Sequence, residues 1–346
     1  MAPSDETILV TGATGYLAGH IIKSFLEAGY KVRGTIRSDS GIPKIKAAQG
    51  DLSKNLSFVT VTDIATPHAF DEAVKGVSGI IATANPFMLS PTNMEEDLLK
   101  PSINGVLSLL DSAALAGPQL KRVVLTASFA SMLDMAAGTR DGYVYTEADW
   151  NPATYEEAAA SSNGGFAYCA AKGLAERAGW DWMKEKKPSF GFIAINPPWV
   201  FGPQLNEITN LDQLNESSEA IWKLINGSLK EVPPHDFLGF VNATDIANAH
   251  LLAYENEAAA GERFLVGSHF DYQSAIDEIL EAFPELKGRV PEGVKGAGLD
   301  ENLYQLDASK VKKVLGLKLT SLKDTMIDTV KVLLEAEKKT GWQLQQ

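Results

Sequence analysis

At 346 residues, with 45% hydrophobic and 22% charged side chains, the chain has enough apolar mass for one large domain or two joined ones, which excludes a disordered or fibrous protein. Its 31 basic and 44 acidic residues leave a net charge of −13, which sets it against the phosphate backbone of nucleic acid and against anionic membranes. No apolar run reaches the roughly 18 residues of a membrane span, the single Cys169 cannot close an internal disulfide, and the start MAPSDETILVTG has no secretory pattern, so a cytoplasmic protein without nucleic-acid or membrane partners is expected. Asn215, Asn226 and Asn242 open glycosylation triplets that read as chance matches.

The first 130 residues alternate short apolar runs with longer helical patterns: TILVT then a helix over 15–28, KVRGTI then a short helix, LSFVTV then a helix over 67–75, GIIATA then a helix over 94–116, and RVVLTAS. This repetition predicts an α/β fold, a doubly wound parallel sheet of Rossmann type. After Ser128 about 35 residues rich in Gly, Asp, Asn and Ser read as long surface loops, where sites are often built. A helix over 164–186, the strand FGFIAIN and the turn-forming PPWVFGP follow. Beyond 203 the alternation is lost, and helices over 216–229, 244–256, 272–282 and 320–338 with the strand RFLVG predict a smaller interleaved unit.

Thr11-Gly12-Ala13-Thr14-Gly15-Tyr16-Leu17-Ala18-Gly19 follows the first strand and opens into a helix. Gly12 permits the tight turn, Gly15 lets backbone amides approach a pyrophosphate, and the helix N-terminus favours the anion, so Gly12, Thr14, Gly15, Tyr16 and Leu17 are candidate cofactor contacts. A merely tight turn is the plainer reading of such a loop. At the end of the second strand, where NAD-binding folds usually carry an acid, stands Arg37, a cation suited to a 2′-phosphate, which favours NADPH over NADH. Lys44 offers a second positive contact. Asp63 and Ile64, at the end of the third strand, suit an adenine amino group and ring, although Asp63 could equally cap the next helix.

Tyr168 and Lys172 stand four residues apart on a predicted helix and so share one face. A phenol is a poor proton donor at neutral pH, and a nearby ammonium draws its pKa down. Ser128 closes the fifth strand at the carboxyl edge of the sheet, where it could polarise a carbonyl oxygen, with Thr126 and Ser131 as neighbouring hydroxyls.

TGATGYLAG, GTIRS, LTAS, YCAAK and NPPWVFGP, in this order, resemble the extended short-chain dehydrogenase/reductase superfamily. ATANPF, LLKPSINGV, DWNPATYEE and VFGPQ resemble its branch of fungal NADPH-dependent methylglyoxal and isovaleraldehyde reductases, relatives of plant dihydroflavonol reductase. The resemblance implies Ser128, Tyr168 and Lys172 as catalytic residues, Tyr168 as proton donor, and Asn104 as part of a proton relay or a buried amide bracing the sheet. It implies NADPH contacts at Gly12, Gly15, Arg37, Asp63, Ile64, Val200 and Ser217, with Pro197 beside them. The implied division is an NADPH-binding domain of residues 1–202 plus about 240–258, and a substrate-binding domain of residues 203–239 and 259–346. Homodimerisation is a family-level expectation.

The chain departs from the family pattern at Ala82 and Asn85 beside the nicotinamide, at Asn242 and Thr244, and at Gly41, which stands where a lysine is usual. Phe87, Phe129, Trp199 and Val200 are the candidate pocket wall, with Phe166 closer to core. The expected substrate is a small aldehyde or ketone. A sugar-nucleotide epimerase or hydroxysteroid dehydrogenase is the nearest rival, opposed in the first case by Arg37, and an NADP-sensing regulator is opposed by the intact Tyr168–Lys172 pair. The five histidines show no metal-ligand spacing.

Overall fold

The computed structural model describes residues 2–85, 91–298 and 303–344. Strand β1 (Thr7–Val10), helix α1 (Tyr16–Glu27), β2 (Lys31–Ile36), α2 (Ile42–Gln49), β3 (Leu56–Thr60), β4 (Gly79–Ala82), α3 (Lys100–Ala113) and β5 (Arg122–Thr126) complete the βα succession. The long segment after β5 holds only the short β6 (Val144–Tyr145) and α4 (Tyr155–Ala160) before α5 (Gly164–Lys186) and β7 (Gly191–Asn196). There follow β8 (Trp199–Phe201), α6 (Glu216–Ile225), β9 (Gly239–Asn242), α7 (Ala243–Glu255), β10 (Arg263–Leu265), β11 (Ser268–His269), α8 (Tyr272–Ala282), β12 (Gln305–Leu306), α9 (Ser309–Leu315) and α10 (Leu322–Thr340).

Among the described residues a seven-stranded sheet runs β10-β7-β5-β4-β1-β2-β3, and all its neighbours pair in parallel. The order reverses between β1 and β4, so the crevice at their carboxyl ends is where such a sheet binds ligands. Alternation along the strands divides the core. Ile8, Val10, Ile81 and Val124 pack with α1 and α7 on one face, and Leu9, Ile80, Val123 and Leu125 with α3 and α5 on the other. Helices α6, α8 and α10 build a separate core with Phe201, Phe240 and Phe270 beside the small sheet β11-β9-β8.

Several local expectations fail for identifiable reasons. Residues 67–75 form turns rather than a helix: His68 adopts a left-handed φ of +59°, the Ala69 amide returns to the Thr66 carbonyl at 3.1 Å, and Ser108 Oγ of α3 donates to that carbonyl (2.6 Å) and accepts from the Ala69 amide (3.2 Å). The helix expected over 94–116 opens as a π-helical turn, Glu95–Leu99, because Pro101 has no N–H to continue an α-helical ladder. The helix expected to reach 229 stops at Ile225, where Gly227 takes φ +88° and Asn226 Oδ1 accepts from the Ser228 amide at 2.9 Å. Helix α4, unexpected, carries a capping box in which Thr154 and Glu157 exchange hydrogen bonds. No helix among the described residues is long and apolar enough to cross a membrane.

Candidate active site

A cleft of about 780 Å³ opens at the carboxyl edge of the sheet. Gly12, Gly15, Tyr16, Leu17, Ser128, Tyr168, Lys172, Pro197, Trp199, Val200 and Ser217 all line it, brought together from five separate stretches of chain. Thr14 lines an adjoining polar hollow of about 400 Å³ with Gly15, Tyr16, Lys44 and the 204–215 segment.

The glycine loop is shaped by backbone. Gly12 has φ +67°, its amide donates to Thr35 Oγ1 at 2.9 Å, and the Ala13 amide donates to the Thr35 carbonyl at 2.9 Å. A Cβ on Gly15 would stand 3.2 Å from the Gly12 carbonyl oxygen. Helix α1 begins at this glycine without a side-chain cap, so its first amides remain available to an anion. The N-terminus of α6, where Ser217 sits behind Asn215, reaches the same cleft and also lacks a side-chain cap. The Tyr16 hydroxyl is buried with no hydrogen-bond partner among the described residues, while its ring packs edge-on against His20 at 5.5 Å. An uncapped helix end, a loop too tight for a side chain and an orphaned hydroxyl suit a bound dinucleotide.

Ser128 follows β5 in extended conformation, and its turn is pinned to the next strand by the Phe129 amide, which donates to the Pro197 carbonyl at 2.8 Å. Its Oγ accepts from the Ala130 amide at 3.1 Å, which leaves its proton to point at Tyr168, with which it is hydrogen-bonded. Burial pushes the Tyr168 phenol up, and the bond from Ser128 opposes that rise. Burial pushes Lys172 down to about 8, against the pull of Glu176 one helical turn on. Lys172 Nζ donates to the Thr126 carbonyl at 3.3 Å, and Lys172 lines the cleft together with Tyr168 from the same helix. Below it Thr126 Oγ1 lies 2.8 Å from His250 Nε2, and His250 Nδ1 lies 2.7 Å from the Ile246 carbonyl. A carbonyl only accepts, so Nδ1 carries the proton and Thr126 donates to Nε2; burial lowers His250 to about 4 and keeps it neutral.

Other expected residues lie elsewhere. Arg37, just after β2, is exposed and makes no hydrogen bond or ion pair among the described residues. Asp63 is exposed and spent on its own turn, accepting from the Ala65 amide at 2.9 Å and Thr66 Oγ1 at 3.2 Å, while Ile64 packs on α3 at Gly105. Phe129 does not line the cleft: it is fully buried among Tyr145, Phe237 and Tyr304, because its turn directs the ring beneath the sheet edge. Asn104 is exposed on α3, so it is not a buried amide. Phe166 packs beside Leu98 and Leu99 on the α3 and α5 side. Phe87 lies outside the described residues.

Several cleft residues carried no local signal. Asp236 accepts from Trp199 Nε1 at 3.0 Å and from the Tyr272 hydroxyl at 2.7 Å, and with Phe237 these form one aromatic wall. They come from a loop and from α8, so only the tertiary fold assembles them. Two of the departures, Asn242 and Thr244, meet at the start of α7, where Asn242 Oδ1 accepts from the Thr244 amide at 2.9 Å. Thr83 and Ala84 donate their amides to Thr11 Oγ1 at 3.0 and 2.9 Å, and Asn242 caps α7 while donating to Thr325 Oγ1 at 3.2 Å.

The NAD dependent epimerase/dehydratase family matches residues 8–267. The NADPH-dependent methylglyoxal reductase GRE2 of Saccharomyces cerevisiae is 37% identical over 96% of this chain and 99% of its own length. The ketoreductase azaE of Aspergillus niger is 36% identical over 95% of this chain and 98% of its own. The crystal structure of yeast methylglyoxal/isovaleraldehyde reductase Gre2 complexed with NADPH superposes with a TM-score of 0.90 at 36% identity, covering 96% of this chain and 99% of that one.

Proposed function

The chain belongs to the NAD dependent epimerase/dehydratase family, and from that premise we propose that it is an NADPH-dependent carbonyl reductase. It takes small aldehydes and ketones, of the kind of methylglyoxal, isovaleraldehyde and prochiral ketones, to alcohols. The observation that carries the reading is that Ser128, Tyr168 and Lys172 line one cleft with the glycine loop. The relatives named for NADPH-dependent methylglyoxal reduction and ketoreduction support it.

Gly12, Thr14, Gly15, Tyr16, Leu17 and Ser217 would hold the pyrophosphate region of NADPH, Arg37 its 2′-phosphate, Asp63 and Ile64 its adenine, and Pro197 and Val200 the nicotinamide end. NADPH, when bound, supplies the hydride that reaches the carbonyl carbon. Ser128 Oγ and the Tyr168 hydroxyl polarise the carbonyl oxygen, and the phenol proton passes to that oxygen as negative charge develops on it. The Lys172 ammonium favours the phenolate left behind. Trp199 and Phe237 offer the apolar wall for the substrate's substituent. Residues 1–202 with about 240–258 form the cofactor domain, and 203–239 with 259–346 the substrate domain. The protein works in the cytoplasm as a homodimer on a small-molecule substrate.

The test is NADPH consumption by the purified protein, with NADH in parallel, across methylglyoxal, isovaleraldehyde, aryl ketones, a 2-oxoester and a dihydroflavonol. Turnover with NADPH on the small carbonyls is expected. Binding of NADPH without turnover on any of them would overturn the reading in favour of a cofactor sensor or a specialised dehydrogenase.

A further inference from the structure

Under the catalytic residues lies a buried polar network that carbonyl reduction does not itself consume. Glu176, 1% exposed on α5, follows Lys172 by four residues as Lys172 follows Tyr168, so the three share a helix face. Its Oε1 accepts from Arg263 Nε at 2.6 Å and Trp180 Nε1 at 3.2 Å, and its Oε2 from Arg263 NH2 at 3.2 Å and Asn196 Nδ2 at 2.8 Å. The same Asn196 Nδ2 lies 3.0 Å from the Ser128 carbonyl, at the turn that presents the catalytic hydroxyl. Arg263 NH1 in turn donates to the Glu147 and Asp149 carbonyls, each at 2.7 Å, and its guanidinium lies over the Trp150 ring at 3.6 Å.

We propose that Glu176 is a positioning residue of this site: its buried carboxylate fixes the Ser128 turn through Asn196 and supplies the counter-charge beneath the Lys172 ammonium. Such a role presupposes carbonyl reduction at this cleft. The enclosed carboxylate is satisfied by Arg263 and two further N–H donors, from Trp180 and Asn196, as a buried charge requires. Salt-bridging alone would have called for one arginine and a surface; instead the anion is placed one turn below the catalytic lysine. The other groups around Lys172 offer no substitute. From β5 it meets only the Thr126 carbonyl, and behind Thr126 stands the neutral His250 of α7. Its own helix adds the uncharged Tyr168 and Cys169, Glu216 of α6 bears on Tyr168, and Arg263 and Arg177 are positive. Glu176 is the negative charge that opposes the desolvation of Lys172.

The sign of the effect follows. Removing the negative charge disfavours the ammonium, so Lys172 loses its proton at lower pH, and the alkaline fall of kcat moves down with it. The measurement is the pH profile of kcat for a neutral ketone at saturating NADPH, in the wild type, Glu176→Gln, Glu176→Asp and the double variant Glu176→Gln/Arg263→Gln. The double variant removes both buried charges together and so protects against misfolding caused by an unpaired Arg263. Glu176→Gln is expected to lower the alkaline limb by about one pH unit or more, and the double variant, which also removes the positive charge of Arg263, to lower it by less. Glu176→Asp, which keeps the charge, should lower kcat and leave the limb in place. A purely structural role would depress kcat equally at every pH; limbs coinciding with the wild type in both charge-removing variants would overturn the proposal. A wild type that consumes no NADPH on any carbonyl would instead overturn the reductase reading itself.

Discussion

The two walls of the cleft are built in opposite ways. The glycine-loop wall is held mainly through its backbone by near neighbours in the chain: Gly12 and Ala13 hang on Thr35, and the Gly15 amide returns to the Gly12 carbonyl at 2.9 Å. The Ser128 wall is held by side chains recruited from far away. Asn151 Nδ2 donates to the Ala130 carbonyl at 3.0 Å, and Arg263 gathers the 147–149 loop from more than 100 residues downstream. A wall made of backbone can present amides to a phosphate but has no titratable group. A wall made of distant side chains can carry proton chemistry, and it depends on the whole fold to do so.

That contrast can be broken from the chemical side first. Tyr168→Phe removes the proton donor and nothing from the glycine loop, so kcat should fall by about 10²–10⁴-fold while NADPH affinity, read by fluorescence, stays near the wild type. Unimpaired turnover would move the proton donor to another group. Breaking the other wall should reverse the pattern. Gly12→Ala forces a side chain into φ +67°, with its Cβ 3.2 Å from Ala84, at a cost of about 1–2 kcal/mol. NADPH affinity should drop roughly tenfold, with kcat at saturating cofactor much less affected. Equal damage to both constants would show that the two walls are not separable.

The same contrast explains what could be read in the sequence. The sheet was legible because each βα unit announces itself locally: apolar runs such as GIIA, helix periodicity, and Gly12 and Gly15 at the first turn. Ser128, Tyr168 and Lys172 were legible because strand end and helix spacing fix where they point. Phe129 was misplaced because its neighbour Ser128 faces the cleft, and one residue further along an extended chain the side chain turns to the other side, into the Tyr145 and Tyr304 cluster. Asp236, Phe237 and Tyr272 could not be read at all, since nothing within a few residues of them marks a cleft. Where a helix was expected over 67–75, the turn is bonded to Ser108 of α3, which no local window contains.

The smallest expected effect sharpens the boundary of the backbone-built wall. Arg37 stands beyond the cleft's lining, exposed at the end of β2, and no carboxylate among the described residues claims its guanidinium. A planar cation kept free in this way is suited to a phosphate dianion reaching past the glycine loop, whereas a carboxylate there would repel that group and accept from ribose hydroxyls. Arg37→Asp should therefore raise the KM for NADPH about tenfold and lower that for NADH, with kcat near the wild type for either cofactor, because the substitution is remote from Tyr168 and Lys172. Steady-state kinetics with both cofactors on one ketone decide the matter. If the ratio of kcat/KM values for NADPH and NADH is unchanged, discrimination lies with another cation, and Lys44, which lines the adjoining hollow with Thr14 and Gly15, is the group to substitute next.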